Sequence, residues 1–376
     1  MKQQSGQYHG EVVYIYAFDV AYEMKREPLE LLLGHPVRQF VVDSSKRSPR
    51  QLFFYRPQMV RLPPMERLGP RGLVPVERTI KLLPVGAISI TVRMPFEVDH
   101  LTDLVAFHDP SFGAVKLFDE VTQLAESVRQ ELAAWFIRPL PRLAREEAYT
   151  VFCIAAPLVD REGKESAYLS AENWLLSHRR DVAALLTQEP DVDHLSTQEA
   201  DESTSLHLSY YDRDIVVMDW DAALLVDEPR HFDETLYIME LANLQLAELE
   251  AYDRILDDSL ERAYRDLRKS PIRNRRGILS ELREIRIDMA RFSDELSNIT
   301  KFFGDWHLAR IYQGVATRFH LAEWHKSIDE KLKTLDDLYE LLNQDRMNRW
   351  MLTLEITIVL LFIIDLVMLF FGMRPH

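Results

Sequence analysis

Residues 352–371 read LTLEITIVLLFIIDLVMLFF, an apolar run whose charged members are Glu355 and Asp365. A helix needs ~20 such residues to cross a ~30 Å hydrocarbon layer, so the run predicts a membrane-spanning helix over 351–372. The flanks agree. Arg346, Arg349 and Trp350 stand where an interface holds basic and aromatic side chains, and Arg374 follows the far end. A core helix is the plainer alternative, but one this apolar all round would lie uncovered at the end of the chain.

Asp365 sits mid-span, where an ionised carboxylate costs roughly 2.5–3.5 kcal/mol on insertion scales. It is expected to be neutralised, paired or turned toward a protein-lined interior. Glu355 and Arg374 lie too far along the helix axis to neutralise it. Asp365 and Glu355 are therefore read as intramembrane contacts, with a second chain as the natural partner and a homo-oligomer as the consequence.

The opposite end bears on orientation. The opening MKQQSGQYHG has neither the basic n-region and apolar h-region of a secretory signal nor an Arg-rich presequence. The body is thus expected in the cytosol, of a bacterial inner membrane or its organelle equivalent. Cys153 lies in the apolar run YTVFCIAAP, is the sole cysteine and reads as a small buried hydrophobe. The chain has 376 residues, 47% of them hydrophobic, enough for a substantial core. Its net charge of −15 argues against a nucleic-acid-binding body, so any contact with RNA or anionic lipid needs a local basic patch.

Between the span and the body, apolar residues recur in steps of four and three. Ala242, Leu246, Leu249, Asp253, Leu256, Leu260, Ala263 and Leu267 form one set, and Ile278, Leu282, Ile285, Met289, Phe292, Leu296, Ile299 and Phe303 a second. Trp324, Ile328, Leu332, Leu335, Tyr339 and Leu342 form a third. Such steps predict narrow stripes that pack knob into hole, hence an antiparallel, coiled-coil-like stalk over 229–349. Pro271 and Gly277 mark a turn, Gly304 and Asp305 a stop and N-cap. No Gly or Pro interrupts 321–371, which predicts one helix running into the span.

Residues 1–228 read as an α+β or α/β domain. EVVYIYAFDV, VRQFVVD, QLFFYRP and RTIKLLPVGAISITVRM are β-branched and aromatic between Pro- and Gly-containing breaks, which predicts strands. Helices are predicted over 114–136 and 172–186, a strand at YTVFCIA, and a hairpin across 205–228. The stretch TQEPDVDHLSTQEADESTS at 187–205 is acidic and poor in large apolar residues, so it reads as a mobile loop.

Motifs that carry chemistry are scarce. No phosphate-cradling Gly-rich loop, nucleophile elbow, HExxH pair or paired CxxC occurs, and the chain has 12 glycines, so no catalytic residue, cofactor or metal is expected. Three groups carry ligand-type side chains: Asp99, His100, Asp103, His108 and Asp109; His320, Glu323 and His325; and Asp191, Asp193 and His194. Their spacings do not converge on one ion, because His100 and His108 would stand two helical turns apart and residues five apart do not share a helix face. The informative cluster is RDLRKSPIRNRRG at 265–277. It sets Arg265, Arg268, Lys269, Arg273, Arg275 and Arg276 at a hairpin tip in an acidic protein. Anionic headgroups are its natural partners at ~1 kcal/mol per residue near the surface, with a ribosome or RNA contact as the rival use.

LYIMELANLQLAELEAYDRILDDSL, IDEKLKTLDDLYELLNQ and LEITIVLLFIIDLVMLFFG resemble the C-terminal region of the Rmd1/Sif2/RMND1 family, DUF155. The matching positions are Leu236 and Tyr237, Leu338 and Tyr339, and Leu354, Glu355 and Ile356. The resemblance implies a soluble domain, a coiled stalk and a terminal span with an organising rather than catalytic role. The ending Phe371, Gly372 and Met373 is similar to the end of the first span of CorA-type channels, with Arg374 in place of their Asn. Together these readings point to a self-associating, non-enzymatic membrane scaffold or docking protein. A CorA-like ion-conducting oligomer is the alternative, and a metal-dependent enzyme comes after it.

Overall fold

The computed structural model describes residues 8–25, 27–40, 57–70, 72–83, 86–139, 147–156, 158, 170–269, 283, 287 and 306–370. The chain divides into two compact units, Met1–Ala251 with Asp288–His325, and Tyr252–Ile287 with Lys326–His376.

The first unit is built on a nine-stranded mixed sheet. Its strands are β1 (Tyr8–Asp19), β2 (Arg38–Gln39), β3 (Gln58–Gly69), β4 (Gly72–Leu83), β5 (Ala87–Val98), β6 (Glu147–Ala155), β7 (His207–Leu208), β8 (Ile215–Met218) and β9 (Ala222–Asp227). The order across the sheet is β7, β8, β9, β6, β1, β5, β4, β3, β2. Neighbours are antiparallel except β6 and β9, where Phe152 faces Leu224 in parallel register. β1 approaches β6 so closely at Gly10 that a Cβ there would lie 1.9 Å from the Cys153 carbonyl oxygen. Only glycine fits that position.

Alternation along the strands gives the sheet two different faces. In β5, Ile88, Ile90, Val92 and Met94 join the main apolar core, while Ser89, Thr91 and Arg93 point the other way. The apolar face is covered by a 3-10 turn at Leu101–Phe107 and by α1 (Leu117–Glu131) and α2 (Ala171–Leu186), through Leu104, Phe107, Val121, Ala125, Trp174 and Leu185. The polar face is covered by the first half of α4 (Phe232–Lys269), with Glu240 and Asn243 against it. Between them comes α3 (Thr197–Ser203), capped by Ser196, whose hydroxyl accepts from the Glu199 amide at 3.0 Å.

Several expected elements have different bounds. The helix expected over 114–136 is limited to Leu117–Glu131, because 136–139 pair with another strand. The acidic stretch expected as a loop holds α3, whose Ala200 and Ser203 are buried. Its apolar content is small but is concentrated on one short face.

The expected stalk is not established by the described residues. Ala242, Leu246 and Leu249 are buried as the stripe requires, but they belong to the sheet unit, which extends to Ala251. The second set falls outside the described residues. A helix does begin after Asp305, as α5 (Trp306–Arg318). It ends at Arg318, His320 takes a left-handed φ of 49°, and α6 (Leu321–Phe370) starts afresh. In the second unit Leu256, Ala263, Ile328, Leu332 and Leu335 are buried. Lys331 bridges Asp253 at 2.7 Å and Asp257 at 2.6 Å, which accounts for an aspartate at a stripe position. α6 carries the apolar segment Trp350–Leu369, none of it buried.

Candidate functional site

Four segments meet at one end of the β8–β9 hairpin: the turn before β8, the 3-10 turn Pro229–His231, the start of α4 and the start of α5. They enclose a small cleft of about 10 Å³ lined by Asp214, Asp227, His231, Glu234, Thr235 and His307 over an apolar floor that includes Val216 and Leu225. Asp214, buried, accepts from the Tyr210 amide at 2.7 Å and the Tyr211 amide at 3.1 Å, which fixes the turn that carries both rings. Asp227 accepts from the Glu228 amide at 2.7 Å and faces His231 Nδ1 at 3.3 Å. The Tyr210 ring packs 4.7 Å from Tyr211 and 5.2 Å from His307, between ring centres. Among the described residues, neither Lys nor Arg lines the cleft.

A second polar constellation lies beneath α4. Glu240 takes an ion pair from Lys81 and accepts from Ser89 Oγ at 2.5 Å. Lys81 Nζ also stands 4.2 Å from the centre of the Phe40 ring and 5.4 Å from that of Tyr237. Arg93 pairs with Asp233 and, at 3.4 Å, with Glu11, whose pKa is raised by burial against the pull of Arg93. Asn243 Nδ2 donates to the Glu147 carbonyl at 3.0 Å. These groups satisfy one another. They fix how α4 sits on the sheet.

The sequence-predicted groups do not converge. Among the described residues no three His, Cys, Asp or Glu side chains could hold one metal ion. His100 and His108 cap opposite ends of one 3-10 turn; burial lowers the pKa of His108, whose Nε2 donates to the Leu185 carbonyl. His194 lies 3.5 Å from Asp191, and His320 lies 3.7 Å from Glu323. Cys153 is fully buried in β6, and burial pushes its thiol pKa up, which suits a packing role. Of the basic turn, Arg265 is exposed and pairs with Glu261 at 3.6 Å. The side chains of Arg268 and Lys269 and the whole of Arg273, Arg275 and Arg276 lie outside the described residues. Glu355 and Asp365 fall within the exposed apolar segment of α6. The cleft escaped the sequence reading because its lining comes from three separated stretches, 214–216, 225–235 and 307–308, none with a motif.

Fold and site define an α+β protein with a large mixed sheet and one C-terminal helix long and apolar enough to span a membrane. By the match of residues 9–233, the chain belongs to the family described as Uncharacterized protein MJ0711, N-terminal domain. The relative that carries that description, from Methanocaldococcus jannaschii, is 22% identical over 223 residues, which are 59% of this chain and 65% of that protein. The chain thus matches less than two thirds of that relative's length. No solved structure matches. This finding overturns the resemblance to the Rmd1/Sif2/RMND1 family. The shared features were regular leucines and an apolar end, which any amphipathic helix leading into a span displays, whereas the matched family covers the sheet domain.

Proposed function

We propose that this protein is a non-enzymatic membrane scaffold or docking protein, anchored by the C-terminal part of α6 with its body in the cytosol. The observation that carries the reading is the segment Trp350–Leu369, wholly exposed in a helix that begins among charged residues. Water would leave that surface uncovered, whereas a bilayer covers it. Self-association proceeds through the long helices α4 and α6, with the second predicted set completing a stalk, and through contacts of Asp365 and Glu355 between neighbouring spans. The basic turn from Arg265 to Arg276 meets an anionic surface, lipid headgroup or ribosomal RNA.

Deleting 351–376 tests the anchor. The shortened protein is expected in the soluble fraction after high-salt and alkaline washing, and its retention in the membrane pellet would refute the single-anchor reading. In the full chain, Asp365→Leu is expected to shorten the oligomer ladder seen by cross-linking in membranes. An unchanged ladder would remove Asp365 from the interface.

A further inference from the structure

The apolar segment of α6 carries its two carboxyls on one line. Between Trp350 and Leu369 the charged residues are Glu355 and Asp365, and no Lys, Arg or His occurs there. The two acids stand about 15 Å apart along the axis. Glu355, Ile358, Phe362, Asp365 and Leu369 follow one another in steps of three, four, three and four, the spacing of a seam at which two helices interlock. All five are exposed.

A second line on the same helix gives the contrast. Before the span, Ile328, Leu332 and Leu335 are buried. Continued by threes and fours, that stripe reaches Ile356, Leu360, Ile363 and Val367, which are apolar without exception and exposed. At about 3.6 residues per turn, the two lines fall on nearly opposite sides of the helix. Acyl chains cover the apolar line as well as protein would, whereas carboxyls inside a membrane almost always face a protein interior. The span holds no cation to serve Glu355 or Asp365, so their cover comes from another helix. A parallel copy meets that need. A C-terminal anchor sets every copy in the same direction and places their Asp365 side chains at one depth, where carboxyl groups hydrogen-bond each other across the seam.

We propose that α6 associates with a second copy of this chain, parallel and in register, through the line Glu355, Ile358, Phe362, Asp365 and Leu369, and leaves its opposite, apolar line to the lipid. The inference rests on the self-association proposed above and names the face and direction of the contact.

Cysteine scanning of the full chain in membranes, with copper phenanthroline as the oxidant, tests it. The native thiol, Cys153, is fully buried, so the parent should give no disulfide dimer. Ile358→Cys, Phe362→Cys and Leu369→Cys should each give one, because a bridge needs Cα atoms within about 7 Å and an in-register parallel seam brings each residue that close to its own copy. Ile356→Cys, Leu360→Cys, Ile363→Cys and Val367→Cys should give none. Dimers on this second line, on both lines equally, or on neither would overturn the proposal, the last being the result if a different membrane protein covers the acids. Adding Asp365→Leu to Phe362→Cys should abolish the dimer, and Asp365→Asn, which keeps a hydrogen-bonding side chain, should retain it. Equal loss in both would overturn the carboxyl contact. Resistance to alkaline extraction shows that each variant is still inserted. Amine cross-linking reports on the scaffold separately: a ladder that persists while disulfides form on the wrong line refutes the seam alone, and a monomer by both methods refutes self-association as well.

Discussion

Replacing Glu240 by alanine would leave Lys81 charged beneath α4 without its carboxylate. Lys81 is 8% exposed and Glu240 4%, so neither side chain can turn to water while the helix stays in place. Removing one partner of a buried ion pair costs about 3–5 kcal/mol, chiefly for the charge left behind. Two features adjust that range. The Phe40 and Tyr237 rings remain beside the ammonium, and a desolvated cation–π contact is worth about 2 kcal/mol, which favours the lower end. The Ser89 hydroxyl also loses its acceptor, at about 1 kcal/mol, which raises it again. The expected loss is therefore about 3–4 kcal/mol, or roughly 6–16 °C in melting temperature for a domain of this size. Urea unfolding of the detergent-solubilised chain, followed by tryptophan fluorescence, measures it. The double variant Lys81→Met with Glu240→Leu removes both charges and should return to within about 1 kcal/mol of the parent. A loss under about 1 kcal/mol for Glu240→Ala, or a double variant as damaged as the single, would refute the view that an unpaired buried charge sets the cost.

Gly10→Ala forces a Cβ against the Cys153 carbonyl and should cost about 3 kcal/mol, the upper end of overpacking, read as a lowered urea midpoint. His108 is held neutral by burial, with its pKa below the ordinary value. Its contribution to stability is therefore complete above about pH 6.5 and is lost as pH falls through its folded pKa. The melting temperature of the parent should fall more steeply below about pH 6.5 than that of His108→Gln, and parallel curves would assign the acid sensitivity elsewhere. Burial opposes the charge of Lys331, but Asp253 and Asp257 outweigh it and raise its pKa, so the ammonium's contribution is complete at neutral pH and is lost as pH rises through its folded pKa in strong alkali. Lys331→Ala should cost about 1 kcal/mol at low salt and less in concentrated salt, since Asp257 is largely exposed; a salt-independent loss would point to packing instead.

The elements most legible in the sequence were those whose pattern is local. β-branched residues between Pro- and Gly-containing breaks marked the strand in RTIKLLPVGAISITVRM, and an apolar run of twenty residues near the end of the chain marked a helix able to span a bilayer, because local composition and length decide both. The four-and-three stripe from Ala242 to Leu267 was legible as a helix but not as to what it packs on, since a helix laid on a sheet and a helix in a stalk share the same spacing. Only the tertiary structure decides that α4 begins inside the sheet unit. Glu240, Asn243 and Gln245 look like solvent-facing positions in the sequence, yet all are buried, because the polar face of the sheet and Tyr312 of α5 supply their partners from far along the chain. The same holds for the break at His320 and for the cleft. Neither has a local signature: the first depends on a left-handed residue, and the second on three stretches of chain that the fold brings together.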